Sequence, residues 1–290
     1  MACPSCVHSS SHSGHQPRHI PPHEGPPSVS IKIDLKEPSF RKPLRVPTFA
    51  KIAHILRSAT FARAALRHRV LAGVEHRSVL SRPLATIVDI GANRGQFALA
   101  ARHWAPRARV MSFEPLPGPA AAFRRLFASD AQVTLHSSAI GPAAETRTMH
   151  ISARDDSSSL LPIAAQSKFF PGTAEIATTA VPIAPLTNYL QPTDIVPPAL
   201  LKLDVQGFEY DALLGCLSLL PRFQWIYCEC SFVELYAGQR LAPDVIALLA
   251  EHGFDLAGIY NPSYDAAGHC IQSDLLFLNA GGPHSSPSLA

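Results

Sequence analysis

Cysteine, charge and long apolar runs are all scarce in this sequence. Its 290 residues include 6 cysteines, two of them within the first six positions, which excludes a disulfide-stabilised scaffold. No stretch of 18 or more consecutive apolar residues occurs, so no transmembrane helix is expected. The N-terminus also lacks the apolar core of a secretory signal, and we therefore expect a cytoplasmic protein with reduced thiols.

Charge is unevenly distributed along the chain. Residues 1–82 carry 13 basic and 4 acidic side chains, whereas residues 83–290 carry 12 basic and 18 acidic ones. A basic segment ahead of an acidic domain fits contact with nucleic acid or with an anionic membrane, but a solvated tail explains the same pattern more simply. We therefore expect no nucleic-acid partner.

Composition divides the sequence into four regions. Residues 1–47 hold nine prolines and too few apolar side chains to offset the entropy of ordering, which predicts a disordered leader, and residues 281–290 are expected to form a disordered tail. Residues 48–82 place apolar side chains at helical spacing between basic ones, which predicts a basic amphipathic segment. Its alanine-rich face favours packing on the domain at residues 83–280 over membrane-surface contact through residues 48–77.

From residue 83 onward, apolar segments alternate with segments of helical periodicity. The predicted strands are 86–90, 109–113, 133–137, 200–203, 225–229, 254–259 and 274–278. The predicted helices are 95–104, 119–128, 209–219 and 243–252. Long connections between strands require a mostly parallel sheet covered by helices on both faces, an α/β fold. Only a loop separates the last two strands, which permits an antiparallel pair, and residues 145–181 contain two alternating runs typical of an inserted hairpin.

The segment TIVDIGANRGQF, residues 86–97, joins a strand to a helix through a turn that contains glycine. Asp89 lies near the end of the strand, while Gly91 and Gly95 let the backbone approach a ligand at the helix N-terminus. Their Gly-x-x-x-Gly spacing differs from the Gly-x-Gly-x-x-Gly of nicotinamide and flavin sites. The next strand ends in the sequence FEP. A carboxylate at this position, Glu114, can accept hydrogen bonds from both hydroxyls of an adenosine ribose.

Two later strands also end in polar residues. In LLKLDVQGFEYDALLG, residues 200–215, Lys202 and Asp204 lie two positions apart and therefore on the same side of the strand. Such a pair can position and deprotonate a hydroxyl, or it can only shape the loop. In WIYCECSF, residues 225–232, Glu229 faces the same crevice if the register holds, and the flanking cysteines are expected to be small core residues.

Taken together, these segments resemble the FkbM family of methyltransferases. The motifs VDIGANRGQF, FEP, SAIG, LLKLDVQGFEYDALLG, ECSFVELYAGQ and SDLLFLN occur in the family's order between about residues 84 and 280. The resemblance implies the Rossmann-like class I fold, with a mostly parallel seven-stranded sheet whose last strand is antiparallel. It also implies S-adenosylmethionine as cofactor and the O-methylation of a hydroxyl on a sugar or small natural product.

The resemblance further implies roles for individual residues. The implied cofactor-binding residues are Asp89, Gly91, Ala92, Asn93, Gly95, Glu114, Pro115, Ser138, Ala139 and Asp204. Glu114 would bind the ribose, and Asp204 would lie beside the methyl group and the acceptor with Glu209 and Glu229 as neighbours. The candidate catalytic residues are Asp204, Lys202, Glu229 and His136. The serine-rich segment at residues 155–159 would lie over the site.

The general base and the need for a metal are open at this point. Asp204 or His136 could accept the proton of the acceptor hydroxyl. Asp204 and Glu229 could instead hold a magnesium ion, and Cys3 and Cys6 could bind zinc with nearby histidines, but we expect no metal site. A binding protein that keeps the fold without catalysis is the alternative function, and a nicotinamide-dependent oxidoreductase is disfavoured by the glycine spacing.

Overall fold

The computed structural model of the chain describes residues 58–281. The predicted disordered leader, the candidate zinc ligands Cys3 and Cys6, and almost all of the predicted disordered tail lie outside the described residues. In the part of the chain that is described, no helix is long and apolar enough to cross a membrane.

Residues 58–281 form ten strands. They are β1 (Thr86–Ile90), β2 (Arg109–Phe113), β3 (Val133–His136), β4 (Ala139–Ile140), β5 (Glu145–Ser152), β6 (Glu175–Ala184), β7 (Ala199–Leu203), β8 (Trp225–Ser231), β9 (Phe254–Tyr264) and β10 (Cys270–Asn279). Seven of them form one sheet in the order β3-β2-β1-β7-β8-β10-β9. The first five strands of that order are parallel, whereas β10 runs antiparallel to both of its neighbours, which confirms the predicted sheet.

The same residues form seven α-helices. They are α1 (Ala59–His68), α2 (Arg77–Leu80), α3 (Gln96–Trp104), α4 (Pro117–Leu126), α5 (Gln166–Phe169), α6 (Glu209–Leu214) and α7 (Ala242–Glu251). The prediction of one helix over residues 209–219 was wrong in its second half. The chain leaves the α-helix at Gly215 and continues as a 3-10 helix, Leu217–Arg222, because Gly215 lies directly against the backbone of Gly141 and Pro221 cannot donate a helical hydrogen bond.

The central strands β1 and β7 of the seven-stranded sheet are buried on both faces. In β1, Ile87 packs with one apolar cluster, whereas Val88 and Ile90 pack with the other. In β7, Leu200 and Leu201 divide between the two clusters in the same way. Successive strand residues point to opposite faces, so a strand buried on both sides is mostly apolar along its whole length. In β1 and β7 the charged exceptions are Asp89 and Lys202, which pair with each other.

The described part of the amphipathic segment packs against this domain. Ser58 caps α1 by accepting a hydrogen bond from the N–H of Phe61, and the apolar face of α1 buries Phe61 and Ala64. These side chains form a small cluster with Leu99 of α3. After α1 the chain turns through a short 3-10 helix, Val74–His76, which brings residues from this segment to the central sheet.

Residues 139–184 contribute a separate three-stranded sheet. Its order is β4-β6-β5, and β5 pairs with β6 antiparallel, as the two alternating runs predicted. The connection between β5 and β6 includes the serine-rich segment and α5. This sheet therefore carries residues 153–174 to the edge of the cavity described next.

Candidate active site

The carboxyl ends of β1, β2, β7 and β8 surround a cavity of about 810 Å³. It brings together most of the residues that the sequence singled out, which are Gly91, Ala92, Asn93, Glu114, Pro115, Ser138, Ala139, Lys202, Asp204 and Glu229. Asp89, Gly95 and His136 do not line it. Ligands bind outside the carboxyl ends of the strands in open α/β sheets, so the position of this cavity fits a binding site.

The glycine turn after β1 forms one wall of the cavity. Gly91 has φ +80°, and a Cβ at this position would collide with the carbonyl oxygen of Asp204. Asn93 also has a left-handed conformation, with φ 45°. Gly95 has a different function, because a Cβ there would lie 2.7 Å from the ring of Phe127, which packs against α3. The turn is thus held close to β7 by a residue that has no side chain.

Glu114 lies at the end of β2 with its carboxyl group almost completely buried. Its Oε2 accepts a hydrogen bond from the N–H of Asn93 at 2.9 Å, and its Oε1 accepts one from the N–H of Leu116 at 2.7 Å. Burial raises the pKa of this carboxyl to about 7, although the two N–H groups oppose the shift. A carboxylate has about four acceptor positions, so Glu114 keeps capacity for two further donors.

Lys202 joins the glycine turn to β7. Its Nζ lies 3.1 Å from Asp89 Oδ1 and 3.7 Å from Asp204 Oδ2, and it donates to the carbonyl of Gly91 at 3.1 Å. Burial would lower the pKa of the ammonium, but the carboxylates of Asp89 and Asp204 outweigh it, so the pKa is raised. Asp89 is fully buried and does not line the cavity, whereas its partner Lys202 does. A protonated Lys202 can orient these groups but cannot accept a proton.

Gln206 connects the two acidic residues on the far side of the cavity. Its Nε2 donates to Asp204 Oδ1 and to Glu229 Oε2, both at 2.8 Å, and its Oε1 accepts from the hydroxyl of Tyr236 at 2.8 Å. Gln206 also has a left-handed backbone, with φ 55°. No motif singles out Gln206, because two of its three partners, Glu229 and Tyr236, come from β8 and the loop after it.

Glu209 supports the same turn and does not line the cavity. Its Oε1 accepts from the N–H of Val205 at 2.9 Å, and its Oε2 accepts from the N–H of Gly207 at 3.0 Å. Burial raises the pKa of Glu209 to about 7. Glu209 therefore holds the backbone on which Asp204 and Gln206 lie.

The serine-rich segment covers part of the cavity. Arg154 to Ser158 contribute to its lining, and Arg94 of the glycine turn donates to Asp155 Oδ2 through Nε at 2.8 Å. The hydroxyl of Ser159 donates to the carbonyl of Gln206 at 2.6 Å. The segment is thus attached at one end to the glycine turn and at the other to the turn after β7.

The histidine at the cavity is not the one that the sequence suggested. His136 stacks on Phe113 at 4.9 Å between ring centroids and lies 5.3 Å from the ring of Tyr189, away from the cavity lining. His76, which precedes all the motifs, lines the cavity beside Asp204. No pattern in the sequence distinguishes His76 from the chain's other histidines, because its position depends on how the 3-10 turn packs.

A smaller cavity of about 190 Å³ adjoins the larger one. The two share Glu75, His76, Asp204, Glu229 and Gln272. The remaining lining residues of the smaller cavity are Asn261, Ser263, Ser273 and Asp274, so this region is almost entirely polar. Within residues 58–281, no group of three or more His, Cys, Asp or Glu side chains is arranged to hold a metal ion.

Comparison with known proteins identifies the family. The model of the methyltransferase FkbM domain matches residues 89–256. The chain is 28% identical over 257 residues to the 31-O-demethyl-FK506 methyltransferase FkbM of Streptomyces tacrolimicus, covering 76% of this chain and 92% of that protein. It is 27% identical to the 2-O-methyltransferase NoeI of Sinorhizobium fredii, covering 59% of this chain and 74% of that protein.

Among solved structures, a precorrin-6y C5,15-methyltransferase from Geobacter metallireducens matches at a TM-score of 0.39 and 12% identity, covering 70% of this chain and 86% of that one. The family match spans more than half of the chain and includes the strand ends that surround the cavity. This chain therefore belongs to the FkbM family of methyltransferases.

Proposed function

We propose that this chain is an S-adenosylmethionine-dependent O-methyltransferase that acts on a hydroxyl group of a sugar or small natural product. The observation that carries the proposal is a single cavity with a buried carboxyl group, Glu114, near the glycine turn and the acidic pair Asp204 and Glu229 on another wall. The names of the two relatives support the acceptor class, since both describe O-methylation.

The residues of the cavity fit S-adenosylmethionine. The free acceptor positions of Glu114 suit the two ribose hydroxyls, and Ser138 and Ala139 provide a wall for the adenine. Gln96 and Gln166 line the cavity, and each has a buried Oε1 without a hydrogen-bond partner among residues 58–281, which suits the ammonium of the methionine part. When bound, the cofactor supplies a methyl group on a positively charged sulfur, which an oxygen nucleophile can attack.

The main task of the protein is to position the acceptor. Reactions between bound partners gain most from alignment, so the walls near Asp204 and Glu229 must hold the hydroxyl oxygen at a fixed place. The carboxylates and amides that line the smaller cavity can accept hydrogen bonds from several hydroxyls at once. This lining favours an acceptor with many hydroxyl groups.

Calorimetry with S-adenosylmethionine and S-adenosylhomocysteine tests the binding half of the proposal. We expect saturable binding of both by the wild-type protein and at least a tenfold weaker affinity for Glu114→Ala. Glu145→Ala is the matched control, because Glu145 is an exposed residue of β5 outside the cavity lining and should leave the affinity unchanged. Failure of the wild-type protein to bind either compound would remove the proposal.

A mass-spectrometric screen with a methyl-deuterated cofactor tests the reaction. The acceptors are monosaccharide methyl glycosides and hydroxylated natural products, and an O-linked product that carries the label is the expected result. Cofactor binding without a labelled product from any acceptor would instead favour a binding protein that keeps the fold without catalysis.

A further inference from the structure

His76 occupies the boundary between the two cavities. It lines both of them, together with Asp204 and Glu229, and its side chain is 18% exposed. The ring is held edge-on against Phe97 and Tyr227, with centroid distances of 5.2 and 5.5 Å. A histidine in this place can contact a molecule that enters the smaller cavity.

The hydrogen bonds of His76 define which ring nitrogen carries the proton. Nδ1 lies 3.1 Å from the hydroxyl oxygen of Tyr227, and that hydroxyl donates its one proton to Asp274 Oδ2 at 2.8 Å. The oxygen of Tyr227 therefore accepts the hydrogen bond from Nδ1, which must carry a proton. Asn261 supports the arrangement by donating to Asp274 Oδ2 at 2.7 Å.

The second nitrogen, Nε2, is consequently a bare acceptor in the neutral ring. It has no hydrogen-bond partner within the described chain. Burial has the largest effect on His76 and lowers its pKa, and the ammonium of Lys202 adds to that shift. The carboxylates of Asp274, Glu75 and Asp204 oppose it. The lowered pKa favours the neutral imidazole, whose bare Nε2 can accept a proton.

We propose that His76 is the general base of the methyl transfer, with Tyr227 and Asp274 as positioning residues that fix its tautomer. This inference rests on the proposed function. The hydroxyl oxygen of the acceptor forms a bond to the methyl carbon as the carbon–sulfur bond breaks, and that electron pair stays on sulfur. The hydroxyl proton passes to Nε2, and Asp274, whose Oδ2 lies 3.9 Å from Nδ1, stabilises the resulting imidazolium.

The other candidate bases are less suited to this step. Asp204 has one oxygen bonded to Gln206 and the other 3.7 Å from the ammonium of Lys202. Glu229 also accepts a hydrogen bond from Gln206. His136 lies outside the lining of both cavities. His76 is the histidine that reaches the region shared by the two cavities.

Nuclear magnetic resonance tests the tautomer without any acceptor or cofactor. Long-range ¹H–¹⁵N correlation of the full chain labelled with ¹⁵N-histidine, with His76→Asn to assign the signal, should show Nδ1 protonated and Nε2 bare at pH 7.5. Tyr227→Phe should shift the ring toward the Nε2-protonated form. A wild-type ring protonated at Nε2, alone or together with Nδ1, would overturn the proposal even if methyl transfer is found.

Kinetics with the acceptor that gives the most labelled product tests the catalytic role. Asparagine at position 76 keeps a donor near Nδ1 but has no base, so His76→Asn should lower kcat by about 10²- to 10⁴-fold and leave cofactor affinity within twofold. His269→Asn, at a side chain that is 79% exposed, is the control and should match the wild type. A kcat within threefold of wild type for His76→Asn would refute the assignment.

Asp274→Asn separates positioning from a purely structural role. Removing this negative charge should lower the pKa of His76, so the acidic limb of the kcat–pH profile should move to lower pH while KM stays nearly constant. A structural role alone would lower the amount of folded protein and leave the profile unmoved. An unmoved profile would therefore contradict the positioning role of Asp274.

Discussion

The ammonium of Lys202 lies 3.1 Å from Asp89 Oδ1, and both side chains are almost completely removed from solvent. The two residues are direct partners in the parallel pairing of β1 and β7. Because each charge is buried, each one depends on the other for compensation.

Removing one member of this pair should destabilise the protein strongly. We expect Lys202→Met to lower the free energy of unfolding by about 3–5 kcal/mol, since Asp89 would be left buried without a counter-charge. The double variant Asp89→Asn with Lys202→Met should recover much of that loss, as urea unfolding would show. Equal losses in the single and double variants would mean that the two charges are not coupled.

The buried carboxyl of Glu114 should make stability depend on pH. Its pKa is about 7 in the folded protein because burial disfavours the charged form, whereas in the unfolded chain the carboxyl titrates near its ordinary pKa of 4.5. Between these two values the folded state holds a proton that the unfolded state has released. The stability that Glu114 contributes is therefore fully present below its unfolded pKa of 4.5. It is lost as the pH rises through the folded pKa of about 7.

Urea unfolding at pH 5 and pH 8 measures this effect. From pH 5 to pH 8 the wild-type protein should lose up to about 3 kcal/mol more stability than Glu114→Gln, which cannot titrate at this position. Glu209, with the same sign of shift, should still contribute its share in the variant. The same pH dependence in both proteins would contradict the assignment to Glu114.

The ion pair between Arg94 and Asp155 should control how long a bound cofactor stays. Both side chains are partly exposed, so Arg94→Ala should change the free energy of unfolding by less than about 1 kcal/mol. The loss of this attachment should nonetheless speed dissociation of the cofactor several-fold in stopped-flow measurements. Arg240→Ala, which removes an exposed pair with Asp244, is the control and should leave the dissociation rate unchanged.

Gly91 and Gly238 offer a matched test of close approach. Both have left-handed backbones, with φ +80° and +77°, but a Cβ at Gly238 meets nothing within 4 Å. Gly238→Ala should therefore cost about 1–2 kcal/mol for the conformation alone. Gly91→Ala adds a collision with the Asp204 carbonyl and should lower both stability and cofactor affinity more. Equal effects of the two variants in thermal unfolding would refute the collision argument.

Local patterns in the sequence predicted most of the central fold. The bounds of β1 and β2 match the prediction residue for residue, because apolar runs between clear turns specify buried strands. Lys202 and Asp204 were predicted to lie on the same side of one strand. Asp204 directly follows the end of β7, but its Oδ2 still lies 3.7 Å from Nζ of Lys202. Glu114 likewise lies at the cavity, as expected for an acid at the end of a parallel strand.

Residues whose positions depend on distant contacts could not be predicted in this way. The contact of His76 with Tyr227 joins positions 151 residues apart, and that of Gln206 with Tyr236 depends on a loop after β8. Asp89 was expected to form part of the loop around the ligand, but it is fully buried in β1, outside the cavity lining, and pairs with Lys202. Neither local periodicity nor motif spacing contains this information.

The 3-10 turn that holds His76 is attached to the domain through main-chain atoms, since the N–H of Gly73 donates to the carbonyl of Gln96 at 3.0 Å. That bond needs no particular side chain at position 96, and it joins a flank before residue 89 to the first helix of the family's matched region. Deleting this flank should therefore remove Glu75 and His76 from the lining of both cavities, while the walls that the matched region itself supplies stay in place.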